Sequence, residues 1–163
     1  MNYLTITHND MLNGDGLRVV LWVSGCSLHC EDCQNKYSWN FNEGILFDER
    51  AKEEIFSELK KDYISGITIT GGHPLEKQNI EEIEKLCKEI KLNFPNKTIW
   101  LYTGFIFEEI KNYSILKYVD VLIDGKYDKE LRDISLKWRG STNQRVIDVQ
   151  KSLFSSEVVL WCD

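Results

Sequence analysis

Cys26, Cys30 and Cys33 stand in the spacing C-x3-C-x2-C inside the stretch Gly25 to Trp39, GCSLHCEDCQNKYSW. A single loop of that length can turn three sulfurs toward one point, which is what a metal centre needs. A tetrahedral zinc site or an ordinary four-iron cluster takes four protein ligands, so three crowded cysteines leave one coordination position open. Two chemistries suit the set. Three thiolates can hold a four-iron, four-sulfur cluster whose fourth iron accepts a small non-protein chelator. Alternatively, His29, His73 or Cys87 completes a structural zinc site. Zinc normally staples the pieces of a small fold, whereas this loop hangs at the mouth of a domain with enough core to fold alone. The balance favours the cluster.

The elements that must present this loop follow from the apolar pattern. Met1 to Thr7 suits a short strand, and Asn13-Gly14-Asp15-Gly16 is a turn. Leu17 to Val23, LRVVLWV, reads as a strand buried on both faces that runs straight into the cysteines. Asp48 to Asp62 has an N-cap aspartate and an apolar set Ile55, Phe56, Leu59, and so predicts an amphipathic helix. Gly66 to Thr70 is a strand ended by Gly71-Gly72-His73-Pro74. From Asn79, the residues Ile80, Ile83, Leu86, Cys87 and Ile90 recur at helical spacing. Thr98 to Tyr102 is a strand ending at Thr103-Gly104, Phe107 to Lys111 a brief helix, and Val119 to Ile123 a strand ending at Asp124-Gly125-Lys126. After Tyr127 the pattern weakens until a last strand is expected in Glu157 to Trp161. Alternating strands and helices imply right-handed crossovers and a parallel sheet with outer helices. The cysteine loop, the Gly-Gly-His-Pro turn, Thr103-Gly104 and Asp124-Gly125-Lys126 then converge at one C-terminal edge.

The whole chain narrows the class. Its 163 residues suffice for one domain, taken as 1–163, and 42% hydrophobic with 28% charged residues is ordinary for a soluble globular protein. The net charge of −6, without a dense basic block, argues against a nucleic acid partner. No apolar run approaches membrane-spanning length and no secretory leader pattern opens the chain, so no membrane partner and a cytoplasmic location are expected. Five cysteines, an odd number with three crowded together, fit a reducing compartment better than a disulfide framework.

C-x3-C-x2-C directly after one strand and a Gly-Gly turn after the next resemble the radical S-adenosylmethionine superfamily. Within it the chain is similar to the activating proteins of the anaerobic, class III ribonucleotide reductases. The resemblance runs from Asn13 to about Val146, through NGDGLRVVLWVSGC, CxxCQNKYSW, TITGGHPL, WLYTGF, VLIDGKY and WRGSTNQR. It implies that the open iron is chelated by the amino and carboxylate groups of S-adenosylmethionine. A reduced cluster then cleaves the sulfonium to a 5′-deoxyadenosyl radical, which abstracts hydrogen from a glycine of the reductase to form its glycyl radical. It also implies two protein partners, the anaerobic ribonucleoside-triphosphate reductase as substrate and an external electron donor such as a flavodoxin. The rival readings are an activase of another glycyl radical enzyme, a radical enzyme acting on a small molecule, and a non-catalytic metal-binding module.

Site residues carry over one by one. The resemblance assigns Cys26, Cys30 and Cys33 to the cluster, Gly71 and Gly72 to the methionine amino group, and the segment Asp32-Cys33-Gln34 to the adenosine. His73 stands where the family commonly has an aspartate or glutamate, and a neutral imidazole offers one accepting nitrogen rather than a charge. Asp32 stands where the superfamily commonly has an aromatic residue. Trp39 suits either loop packing or shielding of the cluster. Lys126 suits the cofactor carboxylate or the partner's backbone, with Asp124 orienting it. Arg139, Asn143, Gln144 and Arg145 are rich in donors that can grip a peptide segment or a carboxylate. Cys87 reads as a buried apolar residue and Cys162 as a free thiol.

A complete eight-unit barrel takes about 250 residues. A chain of 163 residues therefore predicts an α/β open partial barrel of the radical S-adenosylmethionine type, with five to six mainly parallel strands and outer helices. Its open side would be sealed by a large protein substrate, keeping water and oxygen from the radical.

Overall fold

The structure is a computed structural model and describes residues 1–162. Among the described residues, seven strands build one sheet: β1 (Asn2–Asp10), β2 (Leu17–Val23), β3 (Ile45–Leu46), β4 (Ile64–Gly71), β5 (Thr98–Tyr102), β6 (Val121–Asp124) and β7 (Arg145–Asp148). Their order is β3-β1-β2-β4-β5-β6-β7. Four α-helices accompany them: α1 (Glu49–Leu59), α2 (Ile80–Asn93), α3 (Phe107–Ile110) and α4 (Val149–Ser155). The ladder β2-β4-β5-β6 is parallel. At its margins β1 runs antiparallel to β2 and β3, and β7 antiparallel to β6.

Alternation along each strand decides which face is covered. Val19, Leu21 and Val23 of β2 share one core with Ile67 and Ile69 of β4, Ile99 and Leu101 of β5, and the buried stripes of the helices. In α1 that stripe is Ile55 and Leu59, and the Asp48 carboxylate caps the helix by accepting from the Ala51 N–H at 3.1 Å. In α2 it is Ile83, Leu86, Cys87 and Ile90. The opposite face of the sheet carries Trp100, Val121, Ile123 and Val146. Trp138 covers it from the segment between β6 and β7, edge-on to Trp100 at 4.8 Å, and the Tyr102 hydroxyl donates to the Trp138 carbonyl at 2.7 Å.

Several expectations are corrected. The sheet has seven strands rather than five or six, and it is open, with β3 at one edge and β7 at the other. The extra strands are short: β3 is an exposed Ile-Leu pair, and β7 has only Val146 and Ile147 between charged residues, too few for a period to show. β6 starts at Val121, not Val119, because the Asp120 carboxylate is spent on the Ile99 N–H and Lys91. No strand forms over 157–161: after α4 the left-handed Ser156 turns the chain back, and it meets β7 through the isolated bridge Ile147↔Leu160. Among the described residues, no helix is long and apolar enough to cross a membrane.

Candidate metal centre

β2 delivers the cysteine loop, and the loop is closed at its root. The Gly25 N–H donates to Ser38 O at 2.7 Å and the Cys26 N–H to Trp39 O at 3.1 Å, so residues 26–37 form a closed excursion. Gly25 has φ +94, and a Cβ there would run into the Phe41 ring. The buried Ser38 hydroxyl shares its one hydrogen between Asn35 O at 2.7 Å, within the loop, and Gly71 O at 3.1 Å, outside it. The second of these bonds ties the excursion to the end of β4.

Cys26 is buried, Cys30 and Cys33 are half-buried, and all three thiols are free. Burial pushes the Cys26 thiol up, while the backbone N–H groups of Leu28 and His29 act the other way. Burial likewise pushes up Cys30, opposed by the Lys126 ammonium and the Tyr127 N–H from the loop after β6. The Asn35 N–H donates to the Cys33 sulfur at 3.4 Å. Each sulfur therefore faces a backbone donor, the kind of outer support that orients a metal-ligating thiolate, although burial holds the Cys26 and Cys30 thiols above their ordinary range.

Among the described residues, no three His, Cys, Asp or Glu side chains gather for a single metal ion. The sulfurs thus share a loop but not the one point expected from their spacing. A cluster asks less convergence of its ligands than one ion does, because its thiolates bind separate irons. The proposed completions of a zinc site are engaged elsewhere: Cys87 lies in the core, both His73 nitrogens have protein partners, and the His29 ring stacks on Trp39 at 4.4 Å. In donor chemistry and backbone support, the residues present fit a three-thiolate cluster.

The turn after β4 lies directly against this loop. The Gly72 N–H donates to Val23 O and the His73 N–H to Gly25 O, both at 2.8 Å, which prolongs the β2–β4 pairing past the strand ends. Gly71 has φ +102, and a Cβ on it would lie 2.7 Å from the Val23 backbone. A Cβ on Gly72 would strike the Gly25 carbonyl, so only glycine allows the two segments this approach. His73 is buried. Its Nε2 is 2.8 Å from the Thr103 hydroxyl and its Nδ1 3.2 Å from Glu76 Oε1, so the imidazole is occupied within the protein. Burial pushes its pKa down, against the pull of Glu76.

The remaining predicted residues divide. Asp32 and Gln34 are exposed and line a cavity of about 390 Å³ with Tyr127, Lys129, Glu130 and Arg132. Gln34 also borders a second cavity, of about 380 Å³, with Tyr102, Trp138 and Arg139. Lys126 is exposed beside Cys30. Asp124 is fully buried on the helix-covered side, where its carboxylate accepts from Arg145 and from the Phe107 N–H at the start of α3. Gln144 and Asn143 close their own loop: Gln144 Oε1 accepts from the Gly140 N–H at 2.9 Å, its Nε2 donates to Gly125 O at 2.9 Å, and Asn143 donates to Lys126 O at 2.8 Å.

Sequence reasoning missed Glu76, Ser27 and Asn79. The Ser27 N–H and hydroxyl both donate to Glu76 Oε1, at 2.8 and 2.7 Å. The buried Asn79 amide donates to Ser24 O at 2.9 Å and to His73 O at 3.2 Å. Only the three-residue interval from His73 to Glu76 hinted at this bracing, and intervals of that kind are common at helix entrances.

One strand-end loop carries the three thiols on an open α/β sheet, and residues 12–147 match the family model of the 4Fe-4S single cluster domain, which makes this an iron–sulfur domain. The chain is 53% identical over 146 residues to the anaerobic ribonucleoside-triphosphate reductase-activating protein of Enterobacteria phage T4, covering 90% of this chain and 93% of the relative. It is 43% identical over 148 residues to the protein of the same name from Haemophilus influenzae (88% and 96%) and 39% over 150 residues to that of Escherichia coli K12 (90% and 97%). The chain belongs to the family of anaerobic ribonucleoside-triphosphate reductase-activating proteins.

Proposed function

We propose that this chain is a radical S-adenosylmethionine activase that forms the glycyl radical of an anaerobic ribonucleoside-triphosphate reductase. The observation that carries the reading is the hydrogen-bonded contact between two strand-end loops, one bearing three free thiols and the other Gly71-Gly72. Family membership adds the named protein partner. On this reading the open sheet is the partial (β/α) barrel of the superfamily, and the domain is the whole of residues 1–163.

Cys26, Cys30 and Cys33 hold a [4Fe-4S] cluster and leave one iron for the amino and carboxylate groups of S-adenosylmethionine. When bound, the reduced cluster and S-adenosylmethionine would together supply one-electron reductive cleavage of the sulfonium, the electron coming from the cluster, and with it a carbon radical able to take hydrogen from a glycine. The protein's part is to bind, orient and exclude water. Gly71 and Gly72 let the turn after β4 pack directly on the Val23–Gly25 backbone, which sets that turn beside the cysteine loop to meet the methionine end of the cofactor. Asp32, Cys33 and Gln34 follow its adenosine end along the cavity that Tyr127 and Lys129 share. Lys126, exposed beside Cys30, meets the cofactor carboxylate. The Asp124 carboxylate, held by Arg145 and the Phe107 N–H, anchors the end of β6 that leads into Gly125 and Lys126 but does not touch Lys126, and His73 fixes the turn through its backbone and ring while its N–H is held by Gly25 O. Trp39, stacked on His29, shields one side of the loop. The electron comes from an external donor of the flavodoxin kind, and the location is the cytoplasm.

Anaerobic reconstitution with iron and sulfide, followed by reduction in the presence of S-adenosylmethionine, should release 5′-deoxyadenosine. Alanine at Cys26, Cys30 or Cys33 should abolish both iron binding and release, while Cys87→Ala and Cys162→Ala keep them. A colourless protein with one bound zinc would end the reading.

A further inference from the structure

We propose that Glu76 is a positioning residue that holds the cysteine loop in its cluster-binding form and places a fixed negative charge beside it. The inference rests on the three-cysteine reading above. Glu76 is anchored from its own side: its N–H donates to His73 O at 3.1 Å, and its carbonyl accepts from the Asn79 and Ile80 N–H groups at 2.8 and 2.9 Å. Its carboxylate reaches across to the residue that follows the first cysteine. Oε1 takes both the N–H and the hydroxyl of Ser27, and faces His73 Nδ1 at 3.2 Å.

The proton positions follow. A carboxylate can only accept, so His73 Nδ1 carries the hydrogen and Nε2 is the acceptor. The Thr103 hydroxyl must then donate to Nε2, and its oxygen remains free to accept from the Phe105 N–H at 3.1 Å. The Thr103 N–H is itself held by Ile123 O at 2.9 Å. A continuous run of hydrogen bonds therefore links the loop after β5, the turn after β4 and the cysteine loop, and Glu76 is the link that touches the last of these. The acid of this turn is Glu76, three residues after His73, and it is directed at Ser27.

Two separable effects are expected. The hydrogen bonds fix Ser27 and with it the Cys26 backbone, so losing them weakens cluster retention by about 10-fold or more, as for other groups that orient metal ligands. The charge opposes addition of an electron to a neighbouring cluster, so removing it shifts the midpoint potential upward.

The test measures iron and sulfide per chain, and the midpoint potential by anaerobic titration, in the reconstituted wild type, Glu76→Gln, Glu76→Ala and Ser27→Ala. Glu76→Gln keeps an accepting oxygen without the charge, and should retain the cluster at a more positive potential. Glu76→Ala should lose iron far faster under chelator challenge, and Ser27→Ala, which keeps its N–H, should fall between. If Glu76→Ala does not fold, Glu76→Gln decides alone. An unchanged potential in Glu76→Gln, or wild-type retention in Glu76→Ala, would overturn the proposal. A wild type that binds no iron would overturn the cluster reading itself, a result visible before any variant is measured.

Discussion

Arg145 clasps Asp124 across the β6–β7 ladder, where the two residues are register partners and Arg145 Nε donates to Asp124 Oδ1 at 3.1 Å. The same guanidinium forms a fork on Glu108, with Nη1 at 3.0 Å and Nη2 at 2.8 Å. Asp124 is fully buried and also receives the Phe107 N–H at 2.8 Å, so this pair joins the last strand to the start of α3.

Arg145→Met strands the Asp124 carboxylate inside the protein. Loss of one partner of a buried pair costs about 3–5 kcal/mol, which should appear as a lowered midpoint in urea. Glu108→Gln should cost at most about 1 kcal/mol, because that carboxylate is half-exposed and salt screens it. Similar midpoints for the two variants would show that the buried carboxylate does not depend on Arg145.

Acid should weaken the fold through His73. Burial holds its pKa below the ordinary 6.5, so between the two values the unfolded chain binds more protons than the folded one. Stability from this source is complete above about pH 6.5 and declines as pH falls toward the folded value. His73→Gln should remove that segment of the slope in a series of urea titrations. A variant slope that matches the wild type would mean that His73 is protonated without penalty.

Arg18 is the largest charged group in the interior and stands at the end of β2 remote from the cysteines. It donates to Thr68 Oγ1 at 2.8 Å, Ile67 O at 2.7 Å and Thr98 O at 2.9 Å, and its guanidinium lies 5.2 Å from the Trp100 ring centre. Burial lowers its pKa to about 10, which still leaves it charged at neutral pH. Arg18→Leu leaves these acceptors unpaired and should cost about 3 kcal/mol or more. Iron bound per folded chain should not change, and a proportional loss of iron would connect Arg18 to the site.

Much of this was legible because local chemistry and tertiary demand agree. The unbroken run LRVVLWV suits a strand covered on both sides, Asp48 is the cap its helix uses, and Cys87 falls on the buried stripe of α2. The cysteine loop and the Gly71-Gly72 turn were readable because each directly follows a strand. What escaped depends on partners far along the chain. β7 is held by the Asp124–Arg145 register more than by its own four residues, and Arg145, read as a donor for a ligand, turns instead to Asp124 and Glu108. Trp138, in a stretch without period, adopts φ +61 and folds back on Trp100. Glu76 carries no signal of its own in the sequence, because its partner Ser27 lies 49 residues away.

The central claim is tested most directly by electron paramagnetic resonance. The reconstituted protein, reduced without oxygen and mixed with S-adenosylmethionine and an anaerobic ribonucleoside-triphosphate reductase, should generate a glycine-centred radical signal on the reductase. The signal should be absent when Cys26, Cys30 or Cys33 is alanine. A reduced, cluster-loaded wild type that cleaves S-adenosylmethionine yet yields no glycine-centred signal on any such reductase would contradict the account.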